Sequence, residues 1–104
     1  MGFVRVADAG TIPSGQLLEV QVGEKSIAIA NVGGKLFAIS NICLHRGGPL
    51  GQGPLEGNIV TCPWHGWAFD VTNGQLVHHP AAALACYPVE SREDGVFVDP
   101  GDSP

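Results

Sequence analysis

The chain has 104 residues, of which 44% are hydrophobic and 14% are charged, a composition typical of a folded domain rather than of a disordered segment. Its formal net charge of −5 argues against a nucleic-acid partner, because five Lys and Arg residues cannot easily supply the basic surface that phosphates require. The negative charge is compatible with ordinary solubility or with docking onto a basic patch of another protein. No apolar stretch approaches the roughly 20 residues of a membrane span, and the N-terminus lacks a signal-peptide pattern. We therefore expect a cytoplasmic protein without a membrane anchor.

Short apolar segments separated by glycine and proline, of which the chain has 15 and 8, predict an all-β fold. The segments predicted to be strands are residues 16–22, 26–32, 35–39, 58–61, 67–71, 86–90 and 96–98. The first three should form an antiparallel meander, and the last two should form a closing hairpin.

The remaining segments predict turns and loops. Residues 41–52 and 62–66 are predicted to be irregular, and Asn73-Gly74 predicts a two-residue hairpin turn. Residues 81–85 are compatible with one helical turn, since Pro80 and Pro88 limit its length. Residues 100–104 predict a frayed tail.

Three cysteines cannot all form disulfides with one another, and cysteines of a cytoplasmic protein stay reduced, so a disulfide framework is a poor interpretation. Metal binding is the better one, because Cys43-Leu44-His45 and Cys62-Pro63-Trp64-His65 each place a thiolate and an imidazole on one loop. Any one of these residues alone would be read as an ordinary core residue. Zinc is an alternative, although zinc fingers normally keep Cys pairs and His pairs separate.

The pattern Cys43-x-His45-x₁₆-Cys62-x₂-His65, with Gly47 and Gly66 following the two pairs, resembles the Rieske fingerprint. The resemblance implies one 2Fe-2S cluster, with Cys43 and Cys62 on the inner iron and His45 and His65 on the outer iron. It also implies a Rieske-like fold of antiparallel sheets with a small cluster-binding subdomain formed by two loops. We expect residues 1–104 to be a single domain whose cluster-binding part spans about 41–81.

The chain also departs from part of that family. High-potential Rieske proteins of cytochrome bc complexes carry an additional cysteine on each cluster loop, which form a disulfide, and a Ser and a Tyr that hydrogen-bond the cluster. The corresponding residues here are Gly48, Trp64, Trp67 and Phe69, none of which can perform those roles. The resemblance is therefore to low-potential members, the ferredoxins of bacterial ring-hydroxylating dioxygenases and, less closely, the small subunit of assimilatory nitrite reductase. It implies a potential in the lower part of the range of about −150 to +300 mV.

Other residues near the ligands invite functional interpretations. Leu44 and Trp64 are predicted to form an apolar docking rim, whereas Trp67 is explained equally well by core packing. Pro49 should help to shield the cluster, and Arg46 is best explained as a solvated surface residue.

Residues farther from the pairs are given structural roles. A strand would point His78 and His79 to opposite faces, which argues against a metal site there. Pro80-Ala81 is expected to be a short loop covering the cluster. Cys86 is expected to be a small buried hydrophobe, and Asp70 to orient a turn.

The leading hypothesis is a soluble one-electron carrier that accepts electrons from a flavoprotein NAD(P)H-dependent ferredoxin reductase and passes them to a terminal ring-hydroxylating oxygenase. The chain itself would catalyse no reaction and is expected to be a monomer in isolation. The alternatives are the small Rieske subunit of an assimilatory nitrite reductase and a zinc-binding adaptor module. In some nitrite reductase subunits cluster ligands are lost, so the presence of all four here favours electron transfer.

Overall fold

The computed structural model describes residues 2–44, 47–64, 66–77 and 79–101, and within these ranges it contains β-strands and one short 3-10 helix, Leu50–Gln52. The predicted all-β class is confirmed. No helix in these ranges is long and apolar enough to cross a membrane. The strands are β1 (Val4–Ala7), β2 (Leu17–Val22), β3 (Lys25–Val32), β4 (Lys35–Ser40), β5 (Leu55–Glu56), β6 (Ile59–Thr61), β7 (Ala68–Asp70), β8 (Gln75–Leu76), β9 (His79–Ala83), β10 (Cys86–Tyr87), β11 (Val89–Arg92) and β12 (Gly95–Val98).

The central sheet pairs strands in the order β10-β4-β3-β2, all antiparallel. Its strands β2, β3 and β4 are the predicted meander, which is confirmed. Strand β3 is buried on both faces: Ile27 and Ile29 pack into one hydrophobic core, and Ala28 and Ala30 pack into the other. Because successive residues of a strand point to opposite faces, the central sheet separates two cores.

One of these cores lies under the terminal sheet, which pairs strands in the order β1-β12-β11. Strands β11 and β12 confirm the predicted closing hairpin, but Cys86–Tyr87 does not belong to it. Those two residues form β10, which pairs with β4 of the central sheet, so Pro88 separates two strands of different sheets. Strand β1 was not predicted, because its partner β12 is distant in the sequence.

The other core lies under the loop-bearing sheet, which pairs strands in the order β5-β6-β7-β8-β9. Val60, Phe69 and Leu76 lie side by side on neighbouring strands and are all buried in this core. These three side chains pack in the same core as Ala28 and Ala30, which lie at alternate positions of β3 and so point to the same face of the central sheet. Leu50 of the 3-10 helix is buried in the same core.

The predicted helical turn at 81–85 is wrong, as is the loop predicted at Pro80-Ala81. The backbone from His79 to Ala83 forms β9, which pairs with β8 through a register shift. Proline is tolerated in this strand because β9 is the edge of its sheet, where a missing N–H costs no ladder hydrogen bond.

The predicted two-residue turn at Asn73-Gly74 is also wrong in length, since four residues connect β7 to β8. Asp70 organises this connection. Its carbonyl oxygen accepts from Gly74 N–H at 2.6 Å, and its carboxylate accepts from the Thr72 N–H at 2.9 Å and the Thr72 hydroxyl at 2.6 Å. The interpretation of Asp70 as a turn residue is confirmed. Burial raises the pKa of Asp70, but hydrogen bonds from Thr72 and Asn58 outweigh it, so the pKa lies below its ordinary value.

A lowered pKa in the folded state predicts how Asp70 contributes to stability. The contribution is present above the unfolded pKa of about 3.9 and is lost as the pH falls through the lower folded value. Asp70→Asn should lower the free energy of unfolding by about 1 kcal/mol at pH 7, and the difference from the wild type should shrink towards acid pH in urea denaturation.

Asp8→Asn serves as the control, because Asp8 forms an exposed ion pair with Arg5 and should change stability little. An effect of Asp70→Asn that stays constant from neutral to acid pH would contradict the assignment.

Candidate metal centre

Two loops carry the cysteine and histidine pairs identified in the sequence. The first ligand loop, residues 42–49, follows β4, and an isolated antiparallel bridge between Ile42 and Pro49 closes its base. The second ligand loop, residues 62–67, connects β6 to β7, and Thr61 pairs with Ala68 at its base. Main-chain pairing therefore closes each loop immediately outside its cysteine.

The two loops share one turn conformation. In the first, the Gly47 N–H donates to the Cys43 carbonyl at 2.9 Å, and in the second, the Gly66 N–H donates to the Cys62 carbonyl at 3.2 Å. Both glycines lie four residues after their cysteine, and both have left-handed backbones with φ of 76° and 75°. A side chain is disfavoured at this φ, which explains a glycine at the same offset in each loop.

A second main-chain hydrogen bond is also equivalent in the two loops. The Cys43 N–H donates to the Gly48 carbonyl at 3.0 Å, and the Cys62 N–H donates to the Trp67 carbonyl at 2.7 Å. In both loops the acceptor lies five residues after the cysteine. The two cysteines thus have equivalent backbone environments, although their histidines follow at different spacings.

Cys43 and Cys62 are both buried in the core beneath the loop-bearing sheet, with 3% and 2% of their surfaces exposed, and both are free thiols. The two thiols lie in the same core, and they are close enough for Cys43 to raise the pKa of the Cys62 thiol. Burial raises the pKa of the Cys62 thiol, a main-chain N–H from Trp64 to the sulfur opposes this, and neighbouring Cys43 raises the pKa further. Because burial favours the neutral thiols, both could ionise together only beside a cation, which is what a metal centre provides.

Gly48 brings the first ligand loop directly onto the second. A Cβ atom at this position would lie 2.8 Å from the Cys62 Sγ and 3.0 Å from the ring of Trp64. Real Cβ atoms essentially never approach other atoms as closely as 2.8 Å, so only glycine fits here without a shift. A cysteine at residue 48 would therefore require the Cys62 or Trp64 side chain to shift.

The remaining members of the predicted ligand set, His45 and His65, lie outside the described residues, as does Arg46. The structure brings together the two thiols of the set. The two imidazole ligands stay predictions.

An apolar rim surrounds the exposed ends of the loops. Leu44 and Trp64 are 48% and 50% exposed, as expected for docking residues, and Ile42 is exposed to the same extent but was missed. Its exposure could have been predicted from the alternation around Cys43: if Cys43 points into the core, Ile42 and Leu44 on either side point away from it. Trp67 is partly buried and packs against the core, so core packing explains it.

Two predictions concerned the residues after the Asn73-Gly74 turn. His78 lies outside the described residues, and His79 is an exposed residue of the edge strand β9. Cys86 was expected to be buried, which is wrong: it is exposed on β10, the edge strand of the central sheet. An edge strand covered on one side only leaves its side chains accessible, which the local sequence does not reveal.

Comparison with known proteins identifies the centre. The family model for the Rieske [2Fe-2S] domain matches residues 2–88. The chain is 35% identical over 89 residues to the ferredoxin component of the naphthalene 1,2-dioxygenase system of Pseudomonas aeruginosa, covering 85% of this chain and 86% of that protein. It is 32% identical over 100 residues to the ferredoxin component of biphenyl 2,3-dioxygenase of Rhodococcus jostii strain RHA1, covering 95% and 94%.

The fold leads to the same family. A chain in the solved complex of reduced oxygenase and oxidized ferredoxin in carbazole 1,9a-dioxygenase superposes with a TM-score of 0.83 at 32% identity, covering 92% of this chain and 91% of that one. The family match selects the iron-sulfur interpretation of the two Cys/His pairs over zinc. The chain belongs to the Rieske [2Fe-2S] domain family, and its cofactor is one 2Fe-2S cluster of the Rieske type.

Proposed function

We propose that the chain is a cytoplasmic ferredoxin that accepts one electron at a time from a flavoprotein NAD(P)H-dependent reductase and delivers it to a terminal ring-hydroxylating oxygenase. It catalyses no substrate transformation of its own and acts as a monomer. The observation that carries this proposal is the pair of buried, adjacent thiols beneath an exposed apolar rim. Relatives named as ferredoxin components favour this role over that of a nitrite reductase subunit.

The residues that would hold the cluster are Cys43, Cys62, His45 and His65, within a single domain whose cluster-binding part spans about 41–81. The described members of the set fit: both are free thiols buried in the same core, and the Trp64 main-chain N–H donates to one sulfur. When bound, the cluster supplies a one-electron couple. The chain would set the reduction potential of that couple by burying the cysteines and by donating main-chain hydrogen bonds to their sulfurs.

The neighbours of the ligands support a low potential. Glycine at residue 48 and tryptophan at residue 64 leave no cysteine pair for a disulfide across the loops, and a cysteine at residue 48 would require the Cys62 or Trp64 side chain to shift. Phe69 is fully buried and has no hydroxyl group to donate towards the cluster. Hydrogen bonds to sulfur and bridging sulfide stabilise the reduced cluster, so the missing hydroxyl donors favour the oxidised form.

The docking surface is the apolar rim formed by Ile42, Leu44 and Trp64. Acidic residues do not occur near it in the sequence: between Lys35 and Glu56 the one charged residue is Arg46, and residues 57–69 carry no charge apart from His65 when protonated. Five of the ten acidic residues follow position 89, on or beyond the terminal sheet. We therefore assign partner docking to apolar contact rather than to the net negative charge.

Protein-film voltammetry at neutral pH tests the low potential. We expect a midpoint in the lower half of the Rieske range of about −150 to +300 mV, because the disulfide and both hydroxyl donors are missing. A midpoint above about +200 mV would show that other donors replace them.

Stopped-flow oxidation of the reduced protein by a terminal oxygenase tests the function and the docking surface together. Leu44→Ala should lower the second-order rate constant about tenfold, since apolar anchors at the centre of an interface contribute about 1.4 kcal/mol or more. Raising the salt concentration should change the rate little, because the rim carries no carboxylate.

Val4→Ala is the matched control, because Val4 is 43% exposed but belongs to the terminal sheet. The visible spectrum of each variant checks that its cluster is intact. Equal rates for the wild type and Leu44→Ala, or no electron transfer to any oxygenase, would contradict the proposal.

A further inference from the structure

Asn41 occupies an unusual position between β4 and the first ligand loop. It is 4% exposed and is the one buried polar side chain among the residues that the structure describes. Cys43 follows two residues later. A buried amide is costly unless its donors and acceptor are all paired, so the partners of Asn41 need an explanation.

Every polar group of Asn41 is paired, and its partners come from three different elements. Its Nδ2 donates to Glu19 Oε2 of β2 at 2.7 Å and to the Ser26 hydroxyl of β3 at 3.0 Å. Its Oδ1 accepts from the Gly51 N–H of the 3-10 helix at 2.6 Å. Its main-chain N–H donates to the Ser26 carbonyl at 2.9 Å, and its carbonyl accepts from Leu50 N–H at 2.9 Å.

Glu19 extends this network to the far end of the loop. Its second carboxylate oxygen, Oε1, accepts from Gln52 Nε2 at 3.1 Å. One carboxylate on β2 therefore holds Asn41, which precedes the first ligand loop, and Gln52, which follows it. Gly51 permits this approach, because a Cβ there would overlap the Glu19 side chain.

We propose that Glu19 and Asn41 are positioning residues that fix both ends of the first ligand loop to the central sheet and so hold Cys43 in place for the cluster. The proposal rests on the proposed ligand set, since the anchor acts on the cluster through Cys43. The second ligand loop is held by the pairing of β6 with β7. The first lies between a sheet and a 3-10 helix, and its polar anchor supplies the corresponding rigidity.

Removing the donor of the Glu19–Asn41 hydrogen bond tests the anchor. Asn41→Asp sets two acceptors against each other, so we expect the cluster to be lost about tenfold faster in the presence of a chelator. The EPR features of the reduced protein should broaden, because a loosened loop holds the cluster in a range of geometries. A purely structural role would lower the melting temperature without changing the EPR line shape.

The double variant Glu19→Gln/Asn41→Asp should restore both properties. The new amide at residue 19 donates to the new carboxylate at residue 41, and its oxygen still accepts from Gln52. Asn31→Asp is the control, because Asn31 also donates through Nδ2, to the Ile12 carbonyl, and accepts at Oδ1, from the Gly34 N–H, outside the ligand loops. If Asn41→Asp does not fold, Glu19→Gln alone should give an intermediate loss, since the NH2 group that replaces one carboxylate oxygen faces one of the two donors, Asn41 Nδ2 or Gln52 Nε2.

Wild-type cluster retention and EPR line shape in Asn41→Asp would overturn the anchor, and so would equal cluster loss in Asn31→Asp. A double variant no better than Asn41→Asp would overturn the Glu19–Asn41 pairing. A wild-type protein that assembles no 2Fe-2S cluster would overturn the proposed function and the anchor with it, whereas a normal wild-type cluster indifferent to these changes overturns the anchor alone.

Discussion

Two cysteine thiols are buried in one hydrophobic core, close enough for one to raise the pKa of the other, and the rest of the molecule is arranged around this pair. Cys43 follows a strand of the central sheet, whereas Cys62 follows a strand of the loop-bearing sheet. The two sheets must therefore pack in one fixed relation. The shared core, in which Phe69 is fully buried and alanines line the opposite face, provides it.

The same constraint explains why the loops resemble each other. A buried cysteine needs partners for its own N–H and carbonyl, and each loop provides them internally through residues four and five positions later. Gly47 and Gly66 make that turn possible, and Gly48 lets the loops meet. Side chains that point outward from such closed loops cannot enter the core, which leaves Leu44 and Trp64 exposed.

Local patterns in the sequence predicted the parts of the structure that depend on local chemistry. The meander of β2, β3 and β4 follows from alternating apolar residues and glycine turns, and the two loops that carry Cys43 and Cys62 follow from the glycines that flank them. Strand β1 could not be predicted, because it depends on a partner at the other end of the chain. Strand β9 was hidden by Pro80, which only an edge position tolerates.

The role proposed for Asn41 could not be predicted from the sequence, for a different reason. Its role depends on Glu19, Ser26 and Gly51, which come together only when the central sheet and the 3-10 helix have formed. The prediction that Cys86 is buried was wrong for a related reason. Its exposure depends on β10 being the edge of its sheet, which also appears only in the assembled structure. Burial of single residues is a property of the assembled sheets, whereas ligand spacing is a property of the chain.

The central claim is that Cys43 and Cys62 bind one iron of the cluster while His45 and His65 bind the other. Electron-nuclear double resonance of the reduced protein, prepared with ¹⁵N-labelled histidine, measures this directly, because only nitrogens bonded to the reduced iron couple strongly to the unpaired electron. We predict two strongly coupled histidine nitrogens in the wild type. One coupled nitrogen, or none, would contradict the account.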